Sequence, residues 1–133
     1  MEWYLKVLRN YANFNGRARR KEYWMFVLMH MLLTLGVFIM LALVSLAAES
    51  ETIFFAGYAL IIIYSLAILI PSLAVAVRRL HDIGKSGTWF FIYFVPLVGP
   101  IWLLVLLASE GDYKDNQYGR NPKSTLFEES LNI

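Results

Sequence analysis

Charge is absent from three stretches of this chain. Residues 23–48, 53–77 and 88–109 contain no Lys, Arg, Asp or Glu, and every charged residue falls outside them. Each stretch is longer than the about 20 apolar residues a helix needs to cross a hydrocarbon core of roughly 30 Å. The front of the chain is patterned differently. Trp3, Tyr4, Val7, Leu8, Tyr11 and Phe14 recur at helical spacing, with Lys6, Arg9, Asn10 and Asn13 on the other side. That pattern predicts an amphipathic helix over 3–14 lying in a membrane interface, ended by Asn15-Gly16. The fold expected is an all-α integral membrane protein with three apolar helical segments and this interfacial helix. Residues 1–123 form one membrane domain, and 124–133 form a flexible tail.

The third stretch is irregular, because Pro96, Gly99 and Pro100 stand near its middle. A proline removes a backbone donor and kinks or breaks a helix. The stretch either crosses as one kinked helix or dips and returns as two half-helices. A half of seven or eight residues reaches only roughly 11 Å, too short to span. Non-helical backbone at that depth also needs protein cover. A crossing helix, with the tail on the far side, is therefore expected.

Composition agrees with a membrane setting. Hydrophobic residues make up 59% of the 133 residues and charged residues 17%, against about half and a quarter in soluble domains. Three such long buried helices would leave a soluble chain nothing to cover them. The first stretch exceeds the apolar core of a cleaved signal, so it is expected to remain as an anchor. There is no cysteine, which excludes disulfides, thiolate metal sites and a cysteine nucleophile.

The net charge of +2 is small but unevenly placed. Lys6, Arg9, Arg17, Arg19, Arg20 and Lys21 precede the first stretch, and Arg78, Arg79 and Lys85 follow the second. The connection 49–52 holds Glu49 and Glu51 and no base. Basic segments stay cytoplasmic, so the N-terminus and the 78–88 loop should be inside and the 49–52 turn outside.

The segment RRLHDIGKSGTW, 78–89, carries the most candidate chemistry. Its GKS lacks the upstream glycine and strand of a phosphate-binding loop, and a turn explains Gly84 and Gly87 better. His81-Asp82 has only Ser86 as a local nucleophile, and adjacent helical residues do not face each other. His30 and His81 are the only histidines, so neither a metal nor a cofactor is expected. Asp82 can pair with Arg78 one turn back or with an N-terminal arginine, fastening the loop to the front end. His30, roughly 9 Å into the first stretch, reads as a neutral structural histidine. No second ionisable group is read at its depth, so a proton relay lacks a second station.

Four motifs together, FNGRARRKEYW at 14–24, RRLHDIGKSGTW at 78–89, PLVG at 96–99 and NQYGRNP at 116–122, resemble a bacterial family. It is the domain of unknown function 805 family of small YhaH/YhaI-like inner-membrane proteins. The likeness runs from about Tyr4 to Pro122, and it departs at Arg120, where the family usually has proline. It implies a multi-pass inner-membrane protein and no particular chemistry. The expected function is non-enzymatic. A basic cytoplasmic face of Arg17, Arg19, Arg20, Arg78, Arg79, His81, Asp82 and Lys85 would bind anionic lipid headgroups or a partner protein, and no nucleic acid. The alternative is a subunit of an oligomeric transporter or channel.

Overall fold

The computed structural model describes residues 1–124. Helix α1 spans Glu2–Arg9, α2 Arg20–Ala47 and α3 Glu51–Asp82; a 3-10 helix over Gly87–Phe94 precedes α4, Val98–Ala108. No strand occurs among the described residues. The tail expected at 124–133 lies outside them, Ser124 aside.

Two helices, α2 and α3, are long and apolar enough to cross a membrane. They pack as a hairpin. Glu49 turns the chain with φ 48, and the Ser50 hydroxyl accepts the Ile53 N–H to cap α3. Toward that turn their outer faces are bare: Leu43 is 63% and Leu46 76% exposed. Contiguous apolar surface of this kind marks a contact with membrane or with another protein.

Helix α1 is shorter than the pattern predicts, and its apolar stripe meets its own protein. Tyr4 and Val7 are buried with Phe26 of α2 and Ile68 and Val75 of α3. Lys6 and Arg9 stand in its last turn, where cations suit the helix dipole. The segment after α1 reaches α3 as well. Pro71 inside α3 has no N–H for the carbonyl of Ala67, four residues back. The Tyr11 hydroxyl donates to that freed carbonyl.

The third apolar stretch does not form one crossing helix. Its first half is the 3-10 helix, and the chain then reverses at Leu97, whose φ is 66. Helix α4 is only 11 residues, roughly 16 Å. The stretch departs beside Val77, whose Cγ1 lies 2.9 Å from where a Cβ on Gly87 would stand. It returns to the same end of α3, where the Asp112 N–H donates to the Asp82 carbonyl at 2.7 Å. The physical reason is the pair of prolines. Pro96 and Pro100 deny the backbone two donors, and a helix through them would leave carbonyls unpaired. The two half-helices cover one another instead, with Leu103 and Leu107 seated on Leu80, Tyr23 and Trp24.

Candidate functional site

The end of α3 gathers the polar residues of three distant segments. Gly84, with φ 75, ends the helix. Its N–H donates to the His81 carbonyl at 3.0 Å and the Lys85 N–H to that of Leu80 at 2.9 Å, the pattern of a glycine-terminated helix. GKS is therefore a helix stop. It presents Arg78, Arg79, His81 and Asp82 as the last turn before the stop.

Asp82 is buried between two arginines. Its Oδ1 accepts from Arg17 Nε at 2.9 Å and its Oδ2 from Arg79 Nη1 at 2.5 Å. The N-terminal partner expected for Asp82 is thus Arg17. The helical one is Arg79, three residues back, in place of Arg78. Arg17 has a further set of acceptors: the carbonyls of Lys114, Gly119, Asp82 and Asp112. These bonds occupy all five guanidinium donors. Arg79, fully buried, donates to the carbonyls of Leu107, Ala18 and Ser109. Leu107 lies in the last turn of α4 and Ser109 is its C-cap, so their carbonyls have no partner within the helix. Arg79 satisfies them, and this holds α4 against α3.

Arg78 points elsewhere. Its Nη1 donates to Glu22 Oε1 at 2.8 Å, and Lys6 Nζ lies 2.9 Å from the other oxygen. Glu22, 1% exposed, thereby joins α1, α2 and α3. Arg78 Nε and Nη2 are covered and have no protein partner. His81 Nδ1 lies 3.0 Å from the Gly16 carbonyl, and its ring stacks on Tyr118 at 3.9 Å. Asn116 Nδ2 donates to the His81 carbonyl.

Of the eight residues assigned to a basic face, Arg17, Arg78, Arg79, His81 and Asp82 are buried in this knot. Arg20 is exposed, and Arg19 and Lys85 are half-buried. Lys85 Nζ sits 4.7 Å over the Trp89 ring, and Arg19 5.6 Å from that of Trp3. Three buried guanidinium groups face two buried carboxylates, and backbone carbonyls supply the further acceptors of Arg17 and Arg79. The Ser86 hydroxyl pairs with that of Thr88, so it is not held by His81. Sequence reasoning missed Glu22, Lys6, Asn116 and Tyr118. Glu22 stands in the ARRKEYW motif, one acid after three bases, and that isolation is its signal.

His30 has a partner that periodicity did not reveal. The Tyr64 hydroxyl of α3 lies 3.4 Å from its Nδ1 and 2.5 Å from that of Tyr4. The expectation of no second ionisable group at that depth is corrected: Tyr64 sits on a different helix, where a one-helix reading cannot place it.

The DUF805 family model, a protein family of unknown function, matches residues 11–120. The chain is 45% identical to the inner membrane protein YhaI of Escherichia coli K12, covering 92% of this chain and 97% of that one. It is 38% identical to the inner membrane protein YhaH of the same strain, covering 92% and 98%. No solved structure matches. The segments that build the knot, Gly16–Glu22, Arg78–Asp82 and Asp112–Gly119, all lie within the matched region, and the chain belongs to the DUF805 family.

Proposed function

We propose that the chain is a non-enzymatic, multi-pass protein of the bacterial inner membrane. Its knot faces the cytoplasm, and the bases around the knot bind an anionic ligand, lipid or protein. The supporting observation is the division of charge between the two ends of α3. At one end Glu22 and Asp82 are enclosed, and the exposed bases Lys6, Arg9, Arg20, Lys21 and Lys123 outnumber the exposed acids Glu110, Asp112 and Asp115. At the other, Glu49 and Glu51 are exposed with no base between them. Basic segments are retained on the cytoplasmic side, and YhaI and YhaH, the relatives named above, are inner membrane proteins. Arg78 and Arg79 act in this reading as internal ties.

Single-cysteine labelling tests it, since the chain has no cysteine. In intact cells an impermeant maleimide should label Thr52→Cys and leave Ser86→Cys and Ser124→Cys unlabelled until the membrane is opened. Labelling of Ser124→Cys in intact cells would overturn both the orientation and the returning hairpin. A second reading, a subunit of an oligomeric transporter or channel, draws on the hydrogen-bonded His30–Tyr64–Tyr4 trio within the apolar section. Crosslinking in native membranes that yields only monomer would remove it.

A further inference from the structure

The bases left outside the knot are not scattered. Arg19, Arg20, Lys21 and Lys123 line one groove of about 390 Å³ whose remaining walls are Trp24 and Met25. The groove straddles a boundary in the sequence. Arg19, Arg20 and Lys21 are among the last bases before the charge-free stretch 23–48, and Trp24 and Met25 are among its first residues. A ligand there meets cations on one side and the beginning of the apolar surface on the other.

Arg19 and Lys21 are only lightly engaged by the protein, while Arg20 Nη1 donates to the Ala108 carbonyl at 3.4 Å. Arg19 and Lys21 lie 5.6 and 5.5 Å from the Trp3 ring, contacts that leave N–H donors free. Arg19 Nε is covered and has no protein partner. Glu110 pairs with Lys123 at 3.0 Å and with Arg20 at 3.9 Å, and four bases against that one carboxylate keep the groove positive. We infer that this groove binds the phosphate of an anionic phospholipid, with the lipid's apolar part against Trp24 and Met25. The inference rests on the reading that this end of α2 lies at the cytoplasmic membrane surface. A zwitterionic headgroup would carry its own ammonium into the same field and is disfavoured. Free phosphate shares the charge but makes no use of the apolar wall, so the lipid is the ligand.

Native mass spectrometry of the full chain in mild detergent, titrated with phosphatidylglycerol or phosphatidylcholine, tests this. Each base near an anionic surface is worth about fivefold in affinity, and salt screening reduces that. Phosphatidylglycerol should bind the native chain at least about tenfold more tightly than phosphatidylcholine. The Arg20→Gln/Lys21→Gln/Lys123→Gln variant should lose that preference, and Arg20→Lys/Lys21→Arg should keep it. The control Arg9→Gln/Lys114→Gln/Arg120→Gln, outside the groove, should bind as the native chain does. If the control loses the preference and the groove variant keeps it, the groove is the wrong site and the wider lipid-binding reading survives. If neither variant loses it, the groove is the wrong site; if the native chain shows no preference, the lipid form of the wider reading falls with the groove. Displacement of the lipid by an excess of inorganic phosphate would assign the site to a soluble anion and overturn the lipid. Circular dichroism that matches the native chain separates lost binding from lost folding.

Discussion

The two ends of α3 are built on opposite principles. At the Asp82 end, side chains are fixed by named partners: Arg17, Arg79, the α4 carbonyls, Glu22. At the Glu51 end, aliphatic residues of α2 and α3 lean on one another and leave much of their surface bare. In water the second arrangement would be the stronger. In hydrocarbon it loses its drive, because lipid chains are as apolar as leucine and helix association rests on packing and hydrogen bonds. The knot therefore decides the tertiary fold, and the apolar arm decides only where the fold resides.

Asp82→Ala should be the most damaging single change. It strips a buried carboxylate from two buried guanidinium groups, and removing one partner of such a set costs about 3–5 kcal/mol. Thermal unfolding in detergent, followed by circular dichroism, should fall sharply. Leu46→Ile, on the bare arm, should stay within about 0.5 kcal/mol of the native chain. Equal shifts for the two variants would refute the contrast between the ends.

Glycines sharpen the comparison at lower cost. A Cβ on Gly99 would stand 1.9 Å from the Ile92 carbonyl oxygen, and one on Gly57 2.3 Å from Leu41 Cδ1. The first obstacle is backbone, held by the hairpin. The second is the end of a side chain that can rotate. Gly99→Ala should cost about 1–3 kcal/mol, and Gly57→Ala less than about 1 kcal/mol, the scale of one displaced rotamer. If Gly57→Ala proves the worse, the arm is packed more rigidly than its exposure implies.

His81→Ala separates structure from chemistry. It removes a ring stack worth about 0.5–1.5 kcal/mol and a hydrogen bond worth about 1 kcal/mol. The protein's level in the membrane should drop and its protease sensitivity rise. An enzymatic histidine would leave both unchanged while function disappears, and that result would reopen the enzyme reading.

Much of this was legible in the sequence, and what was not shares one cause. The charge-free stretches announced α2 and α3, and Gly84 announced the end of α3, because these features are local. The spacing allows Asp82 to pair with Arg78 one turn back or with an N-terminal arginine. Which of the arginines, and which helical neighbour, depended on how Ala18 and the α3 terminus meet in space. The hairpin was read as a crossing helix because the half-helices looked too short and too uncovered. The cover comes from Arg79 reaching carbonyls 28 and 30 residues away. Tyr64 as the partner of His30 is likewise a matter of the register between α2 and α3, which hydrophobic spacing does not encode when both helices are apolar on every side.

The smallest effect tests the edge of the knot, where charge is no longer enclosed. Lys123, which donates a hydrogen bond to Glu110, and then the charges of Lys123 and Arg20 hold the Glu110 carboxyl below its ordinary value of 4.5. A carboxylate lowered in the folded state contributes stability that is present above its unfolded value and lost as pH falls through the folded one. Acidification below about pH 4.5 should therefore lower the melting temperature of the native chain slightly more than that of Lys123→Ala, in which the hydrogen bond and the closer charge are gone. Both partners are exposed to solvent, so added salt should shrink the difference. The enclosed pairs Arg17–Asp82, Arg79–Asp82 and Arg78–Glu22 should show no comparable salt dependence. A salt-insensitive Glu110 would mean that this corner is enclosed after all, and that the knot extends to Lys123.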